Sequence, residues 1–238
     1  DSDDVPRAEA LWRLTQAARE KRLDMAKARF CFLNDETGEL TDGAAIRPTD
    51  VLEGGALLAA QCQSGTYEPM VWQCVYRRAF LLENGLRMAE GLLFEDELFQ
   101  APALIRAKRA AAFDAVILEY RQRPGSIMAS FAGSAKWCAS YAQVCARLDA
   151  LARTLPSGAA RAALQKRVGQ IALSVGKNIP AYRLPPTVAG EAMAFLKAHR
   201  RELARYALKS GDAAIAAQGA LLLLSPKLFV EMYRRAVI

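Results

Sequence analysis

The chain has 238 residues, of which 53% are hydrophobic and 24% charged, and its formal net charge is +7. This apolar fraction supports a buried core and excludes an intrinsically disordered chain, and the length allows one large domain or two small ones. Because His199 is the only histidine, a histidine-based metal cluster is excluded, and since His199 lies on or near the polar face of a predicted helix, a Ser-His-Asp triad is not expected.

The charge is distributed unevenly along the chain. Residues 1–128 carry 16 Lys and Arg against 20 Asp and Glu, a net charge of −4. Residues 129–238 carry 16 against 5, a net charge of +11. This split predicts two modules, 1–128 and 129–238, with different partners. A basic module can bind anionic lipid, an acidic polymer or nucleic acid.

The cysteines and the apolar segments bear on the cellular compartment. Five cysteines without a C-x-x-C pair are typical of reduced, buried thiols in a cytosolic protein. No signal peptide is recognisable, and the longest apolar stretch, Ala213 to Leu224, is too short to span a bilayer. We expect a cytoplasmic protein. Because the chain starts with Asp1 rather than Met, we also expect it to be a piece of a longer one.

The chain begins with an acidic turn, Asp1-Ser2-Asp3-Asp4, and Pro6 follows shortly after. Asp3 or Asp4 before a proline is a good N-cap for the helical pattern that comes next. Alternatively Asp1 and Asp3, which bracket one residue, hold a divalent cation, because hard oxygen ligands suit Mg²⁺ and Mn²⁺. The residues alone leave both interpretations open.

The next elements are predicted by periodicity and by turn residues. Alternation from Met25 to Phe32 predicts a strand, followed by a polar turn region to Gly43. Residues 50–62 show a short helical pattern that Gly54-Gly55 interrupts. Further along, residues 78–82 predict a short helix ended by Asn84-Gly85, and residues 112–120 predict another strand.

Trp72 lies in an apolar run, Val71 to Leu81. A tryptophan in such a run is usually part of the core. An indole can also stack on a sugar ring while its N–H donates a hydrogen bond. Both roles remain open from the residues alone.

Three consecutive acids, Glu95, Asp96 and Glu97, follow Phe94 at the start of a helical pattern. Acids are favoured there because the free N–H groups and the positive end of the helix dipole attract them. A carboxylate at a helix N-terminus, backed by apolar residues and facing a cleft, can also act as a general base.

The predicted strand that ends at Tyr120 is followed by a basic loop, Arg121-Gln122-Arg123-Pro124-Gly125-Ser126. A basic loop closed by Pro-Gly is often a solvated turn. Arginine forks also fit phosphate oxygens, so the loop is a candidate phosphate contact.

From Ser134 onward the pattern is helical. Apolar residues at three- and four-residue spacing predict a first helix with one buried stripe; its members are Trp137, Tyr141, Val144, Cys145, Leu148, Leu151 and Leu155. A second helix runs through Val175, and residues 178–186, with three prolines, predict an irregular connector. A third helix is predicted from about Glu191 to Lys209 and a fourth over residues 212–224.

Ser225-Pro226 predicts the start of a last, amphipathic helix. Its predicted apolar face comprises Leu228, Phe229, Met232 and Tyr233, opposite Lys227, Glu231, Arg234 and Arg235. A basic amphipathic helix of this kind either lies in a membrane interface or packs against its own domain.

Four of these features occur in an order that resembles one enzyme family. They are the DSDD turn, the Trp72 to Leu81 segment with Gly85-Leu86-Arg87-Met88, the Glu95-Asp96 pair, and the Tyr120 to Ser126 segment. Together they resemble the second half of the catalytic domain of inverting family 2 glycosyltransferases, which have the GT-A fold and use nucleotide sugars. The resemblance covers about residues 1–128. Gln73-Cys74 departs from it, since the family commonly has a lysine two residues after the tryptophan.

The resemblance implies an α/β fold, a partial GT-A domain without its N-terminal nucleotide-binding half, followed by an all-α helical domain. It also implies a general base with a neighbouring acid, ligands for Mn²⁺ or Mg²⁺, contacts to the donor diphosphate and a contact to the acceptor. The implied general base is Asp96, with Glu95 beside it, and the implied metal ligands are Asp1 and Asp3. The implied diphosphate contacts are Arg123, Ser126 and Arg121, and the implied acceptor contact is Trp72.

The function implied is a metal-dependent, inverting, hexosyltransferase-like enzyme of cell-surface polysaccharide or glycan synthesis. It would transfer a sugar from a nucleotide-diphosphate donor to a glycan or lipid-linked acceptor. The basic helices would keep it near the inner face of the cell membrane, and this piece alone should be inactive.

The alternative is a non-catalytic helical interaction module derived from a degenerate transferase. Nucleic-acid binding is not expected, because the basic half lacks clustered aromatics among its basic residues and any recognised reader motif.

Overall fold

The computed structural model describes residues 4–123 and 133–236. Contacts between residues divide the chain into two units. The sheet unit comprises residues 1–88 and 99–126, and the helical unit comprises residues 89–98 and 127–238. Residues 89–98, which contain the three acids, therefore group with the helices that follow them. The predicted boundary after residue 128 falls outside the described residues and stays a prediction.

Over residues 4–88 and 99–123, the sheet unit contains five strands and most of the first four helices. In chain order these are β1 (Val5–Pro6), α1 (Ala8–Glu20), β2 (Met25–Asn34), β3 (Leu40–Asp42), α2 (Gly54–Ser64), a 3₁₀ turn (Val71–Gln73), β4 (Cys74–Tyr76), α3 (Arg78–Glu83), α4 (Glu95–Arg106) and β5 (Ala110–Gln122). Helix α4 begins in the helical unit and continues into the sheet unit. The predicted strands over 25–32 and 112–120 and the predicted helix over 78–82 are confirmed.

The sheet has the order β1-β5-β2-β3, and β4 also pairs with β2. Strands β2 and β5 are parallel, from Met25 opposite Ala110 to Asn34 opposite Gln122, and the other pairs are antiparallel. A parallel central pair is covered on both faces and is therefore rich in apolar residues. A buried cluster lies here, formed by Leu14, Leu23, Ala26, Ala28, Ala111 and Ile117.

Two details of the sheet unit differ from the prediction. Neither Asp3 nor Asp4 caps α1, because Val5–Pro6 pairs with β5 and the N-cap residue is Arg7. Gly54 does not interrupt α2 but begins it. A Cβ at Gly54 would lie 2.0 Å from the carbonyl oxygen of Leu104, so glycine is required by a close approach of α2 to α4.

Among its described residues, the helical unit contains five further helices, each of which was predicted. They are α5 (Ala135–Thr154), α6 (Ala159–Ala181), α7 (Pro186–Leu208), α8 (Ala213–Leu224) and α9 (Pro226–Ala236). Side chains cap three of them: Ser134 accepts from Trp137 N–H, Asp212 from Ala214 and Ile215 N–H, and Ser225 from Leu228 N–H. None of the helices within residues 4–123 and 133–236 has both the length and the hydropathy to cross a bilayer.

Two predictions in the helical unit are wrong in detail. Helix α6 continues to Ala181 with Pro180 inside it, so the connector is only residues 182–185. Proline lacks an N–H and removes one backbone hydrogen bond, a loss that is confined here to the last turn of the helix. On α9 the buried residues are Phe229 and Val230, whereas Leu228 and Met232 are exposed. The helix turns this way because the Phe229 ring packs against Gly176 of α6.

Candidate active site

Asp96 lies in the first turn of α4 and is half-buried. Burial, helped by the neighbouring carboxylates of Glu95 and Glu97, raises the pKa of its carboxyl to about 6, although a hydrogen bond from its own backbone N–H acts in the opposite direction. A carboxyl with this pKa is mostly ionised at pH 7 yet binds a proton readily. It therefore has the proton affinity that a general base needs near neutral pH.

The backbone immediately before the acids has an unusual conformation. Phe94 has a φ of +62°, in the left-handed region that an aromatic residue rarely adopts. Its ring stacks on Tyr141 of α5, with centroids 4.1 Å apart, and lies edge-on to Trp137 at 6.0 Å. Trp137 and Tyr141 also contact each other edge-on at 4.7 Å. The strained residue is thus held by a three-ring aromatic cluster within the helical unit.

Glu97 is 5% exposed and forms an ion pair with Arg167 of α6. The Arg167 Nε donates to both carboxylate oxygens, at 3.0 and 3.3 Å, and a terminal nitrogen also donates to Oε1. On the other side of Phe94, the backbone N–H of Leu93 donates to the Ser140 hydroxyl at 3.1 Å. Helices α5 and α6 therefore contact the chain on both sides of Asp96.

A second group of predicted residues lies in the sheet unit, where β5 ends. Strand β1 pairs there with β5, and the Asp4 carboxylate accepts from the backbone N–H of Arg121 at 3.0 Å. The Arg121 guanidinium pairs with Asp35, and Arg123 is exposed. Asp4 is thus bonded to the carboxyl end of a parallel strand, the edge where α/β sheets commonly bind ligands.

Three predicted residues, Asp1, Asp3 and Ser126, fall outside the described residues. Across residues 4–123 and 133–236, no group of three or more Asp, Glu, His or Cys side chains could hold a metal ion. Metal binding by Asp1 and Asp3 and the diphosphate contact by Ser126 therefore stay predictions.

Trp72 is half-buried and belongs to an aromatic group in the sheet unit. Its indole stacks on Tyr120, with centroids 5.3 Å apart and planes at 17°, and meets the Phe30 ring edge-on at 4.9 Å. Packing against Tyr120 therefore covers one face of the Trp72 indole. The acceptor contact stays a prediction. In the neighbouring residue, Gln73, both amide atoms are buried without a hydrogen-bond partner among the described residues.

The sequence interpretation missed Arg167, Tyr141 and Ser140 as neighbours of the acids. Tyr141 was predicted to be part of a buried stripe, and nothing in the pattern distinguished Arg167 from the solvated residues of its helix. Glu97 itself carried a signal, because a charged side chain that becomes buried in a helix with an apolar face needs a cationic partner.

The fold that these elements build is mixed α/β with C-terminal helices. It is similar to crystal structures of TarS from S. aureus. Against residues 1–349 of TarS in complex with UDP-GlcNAc, the TM-score is 0.62 at 16% identity, with all of this chain and 65% of that one covered. A longer TarS structure gives a TM-score of 0.55 at 13% identity, and 38% of that chain is covered. The predicted fold class is confirmed.

In sequence the chain is similar to the uncharacterized glycosyltransferase YibD of Escherichia coli strain K12. The two are 30% identical over 125 residues, half of this chain. The chain spans only 36% of the length of YibD and 65% of the matched TarS chain. No protein-family profile matches the sequence. The predicted relationship to glycosyltransferases is thus confirmed at that general level.

Proposed function

We propose that this chain is part of an inverting family 2 glycosyltransferase with a GT-A domain, and that Asp96 is its general base. The observation that carries the proposal is the environment of Asp96, a half-buried carboxyl with a pKa near 6 at the start of a helix. Its place in the resembled pattern, the similarity to YibD and the TarS-like fold support the same activity.

In the proposed reaction the Asp96 carboxylate takes the proton of an acceptor hydroxyl. The acceptor oxygen forms a bond to the anomeric carbon of the donor sugar as the bond from that carbon to the diphosphate breaks. The diphosphate leaves with the electron pair, and the configuration inverts. Glu95 orients the acceptor beside the base, and Trp72 contributes a ring to the acceptor side.

The donor is a nucleotide-diphosphate sugar, a class supported by the UDP-GlcNAc bound to TarS. Arg123, Ser126 and Arg121 contact its diphosphate through charged and hydroxyl donors. Asp1 and Asp3 would hold Mn²⁺ or Mg²⁺, which when bound supplies positive charge for the leaving diphosphate. Asp4 is not included, because its carboxylate accepts from the Arg121 backbone.

We propose a glycan or lipid-linked acceptor and a cytoplasmic enzyme at the inner face of the cell membrane. The net charge of +11 on residues 129–238 supports this location, because a basic surface is attracted to anionic lipid and to acidic glycans.

An Asp96→Asn variant of the full-length protein tests the role of the base. The assay measures release of UDP from UDP-GlcNAc and from UDP-glucose with MnCl₂ and a membrane extract as acceptor source. Loss of a general base predicts a fall in turnover of at least about 100-fold with an unchanged circular dichroism spectrum. Glu90→Gln, an acid-to-amide change at an exposed residue of the same unit, is the control and should leave turnover unchanged.

Near-normal turnover in Asp96→Asn would contradict the assignment. Titration calorimetry of UDP and Mn²⁺ onto the full-length wild type separates the proposal from the alternative of a non-catalytic interaction module. The enzyme should release or absorb heat on binding, whereas the module should not.

A further inference from the structure

We infer that Arg167 is a positioning residue for Asp96, acting through Glu97, and that helices α5 and α6 together fix the direction of the proposed base. The inference rests on the proposed function for its catalytic consequence only. The contacts themselves belong to the helical unit and stand whether or not the protein transfers a sugar.

The first support is the arrangement of contacts around Asp96. The backbone of Leu93 is bound by Ser140, the ring of Phe94 by Tyr141, and the carboxylate of Glu97 by Arg167. These contacts therefore hold Leu93 and Phe94, which lie three and two positions before Asp96, and Glu97, which lies one position after it. The backbone of a five-residue segment held at both ends has little freedom to move, which fixes the direction in which the side chain of Asp96 leaves it.

The second support is the geometry of the Glu97–Arg167 contact. The guanidinium reaches both oxygens of the carboxylate, a two-point contact that fixes orientation as well as distance. Glu97 follows Asp96 directly in the first turn of α4. Because adjacent helical residues point about 100° apart, fixing Glu97 fixes the rotation of that turn and hence the direction of Asp96.

The third support is that stability alone does not explain these contacts. A buried ion pair is often no more stabilising than apolar residues of the same size, because both charges lose their hydration. A left-handed φ at Phe94 is itself unfavourable, because an L side chain with a Cβ is crowded in that conformation. The Glu97–Arg167 pair and the left-handed Phe94 thus lie within two residues of Asp96, although the first adds little to stability and the second reduces it. This is the pattern expected of a site whose orientation matters.

Arg167 also supplies charge. Two carboxylates of the same helix, Glu95 and Glu97, interact with the Asp96 carboxyl. From the helices packed against this turn, Arg167 of α6 and the Tyr141 hydroxyl of α5 interact with Glu97. The guanidinium therefore balances one of the charges that oppose ionisation of Asp96.

The test uses three variants of the full-length protein, Arg167→Met, Arg167→Lys and the double variant Arg167→Met/Glu97→Met. For UDP-GlcNAc turnover with MnCl₂ we expect kcat of Arg167→Met to fall about 10- to 100-fold, with KM for the donor changed by less than about twofold. Arg167→Lys should recover only part of kcat, because an ammonium lacks the fork. Arg13→Met, which breaks the exposed pair with Glu9 on α1, is the control and should change neither.

The double variant separates positioning from folding. It removes both buried charges, so its urea midpoint should return to near the wild-type value, whereas its kcat should stay low. Recovery of kcat together with stability would overturn the inference, and so would a wild-type kcat in Arg167→Met.

A second measurement does not depend on turnover. The Asp96 carboxyl is followed by ¹³C NMR in full-length protein labelled at aspartate carboxyls and assigned with Asp96→Asn. We expect Arg167→Met and the double variant to change its chemical shift and titration midpoint in the absence of donor. An unchanged resonance overturns positioning by Arg167. A changed resonance in a protein without turnover sustains the positioning role and instead contradicts the proposed function.

Discussion

The sheet unit is stabilised internally by one kind of contact and the helical unit by another. In the sheet unit a buried carboxylate, Asp24, accepts from the backbone N–H groups of Lys108 and Arg109, at 2.8 and 3.2 Å, and from the Arg77 guanidinium. Lys27 is fully buried, and its ammonium donates to the carbonyl of Glu68. These polar contacts join residues that lie 41 to 85 positions apart in the sequence.

The helical unit depends mainly on apolar stripes and local caps. Trp137, Leu148, Leu164 and Phe229 are among its fully buried side chains. The cap contacts at Ser134, Asp212 and Ser225 span only two or three residues. One long-range polar contact of this unit joins Arg167 to Glu97. It lies beside Asp96 and bears on the proposed chemistry. In the helical unit we propose that this buried pair serves function, whereas in the sheet unit the buried polar contacts belong to the framework.

The largest effect is expected in the helical core. Phe229→Ala removes a fully buried ring that packs against Gly176, and we expect a loss of about 3–5 kcal/mol in the free energy of unfolding. Leu228→Ala, on the neighbouring exposed residue, should change it by less than about 0.5 kcal/mol. Urea denaturation followed by circular dichroism measures both. Equal losses would mean that α9 packs through the face that the sequence predicted.

A smaller but still large effect is expected from the framework of the sheet unit. Asp24→Ala leaves two backbone N–H groups without their acceptor and should lower the free energy of unfolding by about 2–3 kcal/mol. Asp42→Ala also removes an aspartate paired with an arginine, but its side chain is 79% exposed, and we expect less than about 1 kcal/mol. Similar values in urea titrations of the two variants would remove the contrast between the units.

The smallest effect is expected from a cap. Ser134→Ala removes the acceptor for Trp137 N–H at the start of α5 and should reduce stability by about 1 kcal/mol. Ser134→Asp keeps an acceptor and adds a favourable charge at the helix N-terminus, so thermal unfolding should return to the wild-type temperature or exceed it. If both variants unfold at the same temperature, the cap makes no measurable contribution.

The same contrast explains what the sequence could predict. Helix periodicity and caps act within a few residues, so each of α5 to α9 could be predicted from the local pattern. The connector was predicted too long because Pro180 lies within the last turn of α6. The rotation of α9 was missed because a distant residue decides it, since Phe229 packs against Gly176. Gly54 was misread for the same reason, since its partner Leu104 lies about 50 residues further along.

The candidate site was predictable only in part. The resemblance identified Asp96 and Glu95 through a short motif. Arg167 follows Glu97 by 70 residues, and no local pattern connects a guanidinium on one helix with a carboxylate on another. The strained φ of Phe94 is equally invisible in the sequence, because it results from the packing of its ring on Tyr141.

The central claim is that Asp96 accepts a proton during the reaction, and the pH dependence of kcat/KM for UDP-GlcNAc turnover tests it most directly. A base must be ionised to act, and the pKa of Asp96 is raised to about 6, so activity should be full above about pH 7 and fall about tenfold per unit below pH 6. An ordinary aspartate, with a pKa of 3.8, would keep the profile flat down to about pH 5. The account predicts the first profile in the full-length protein, and a flat profile between pH 5 and 7 would contradict it.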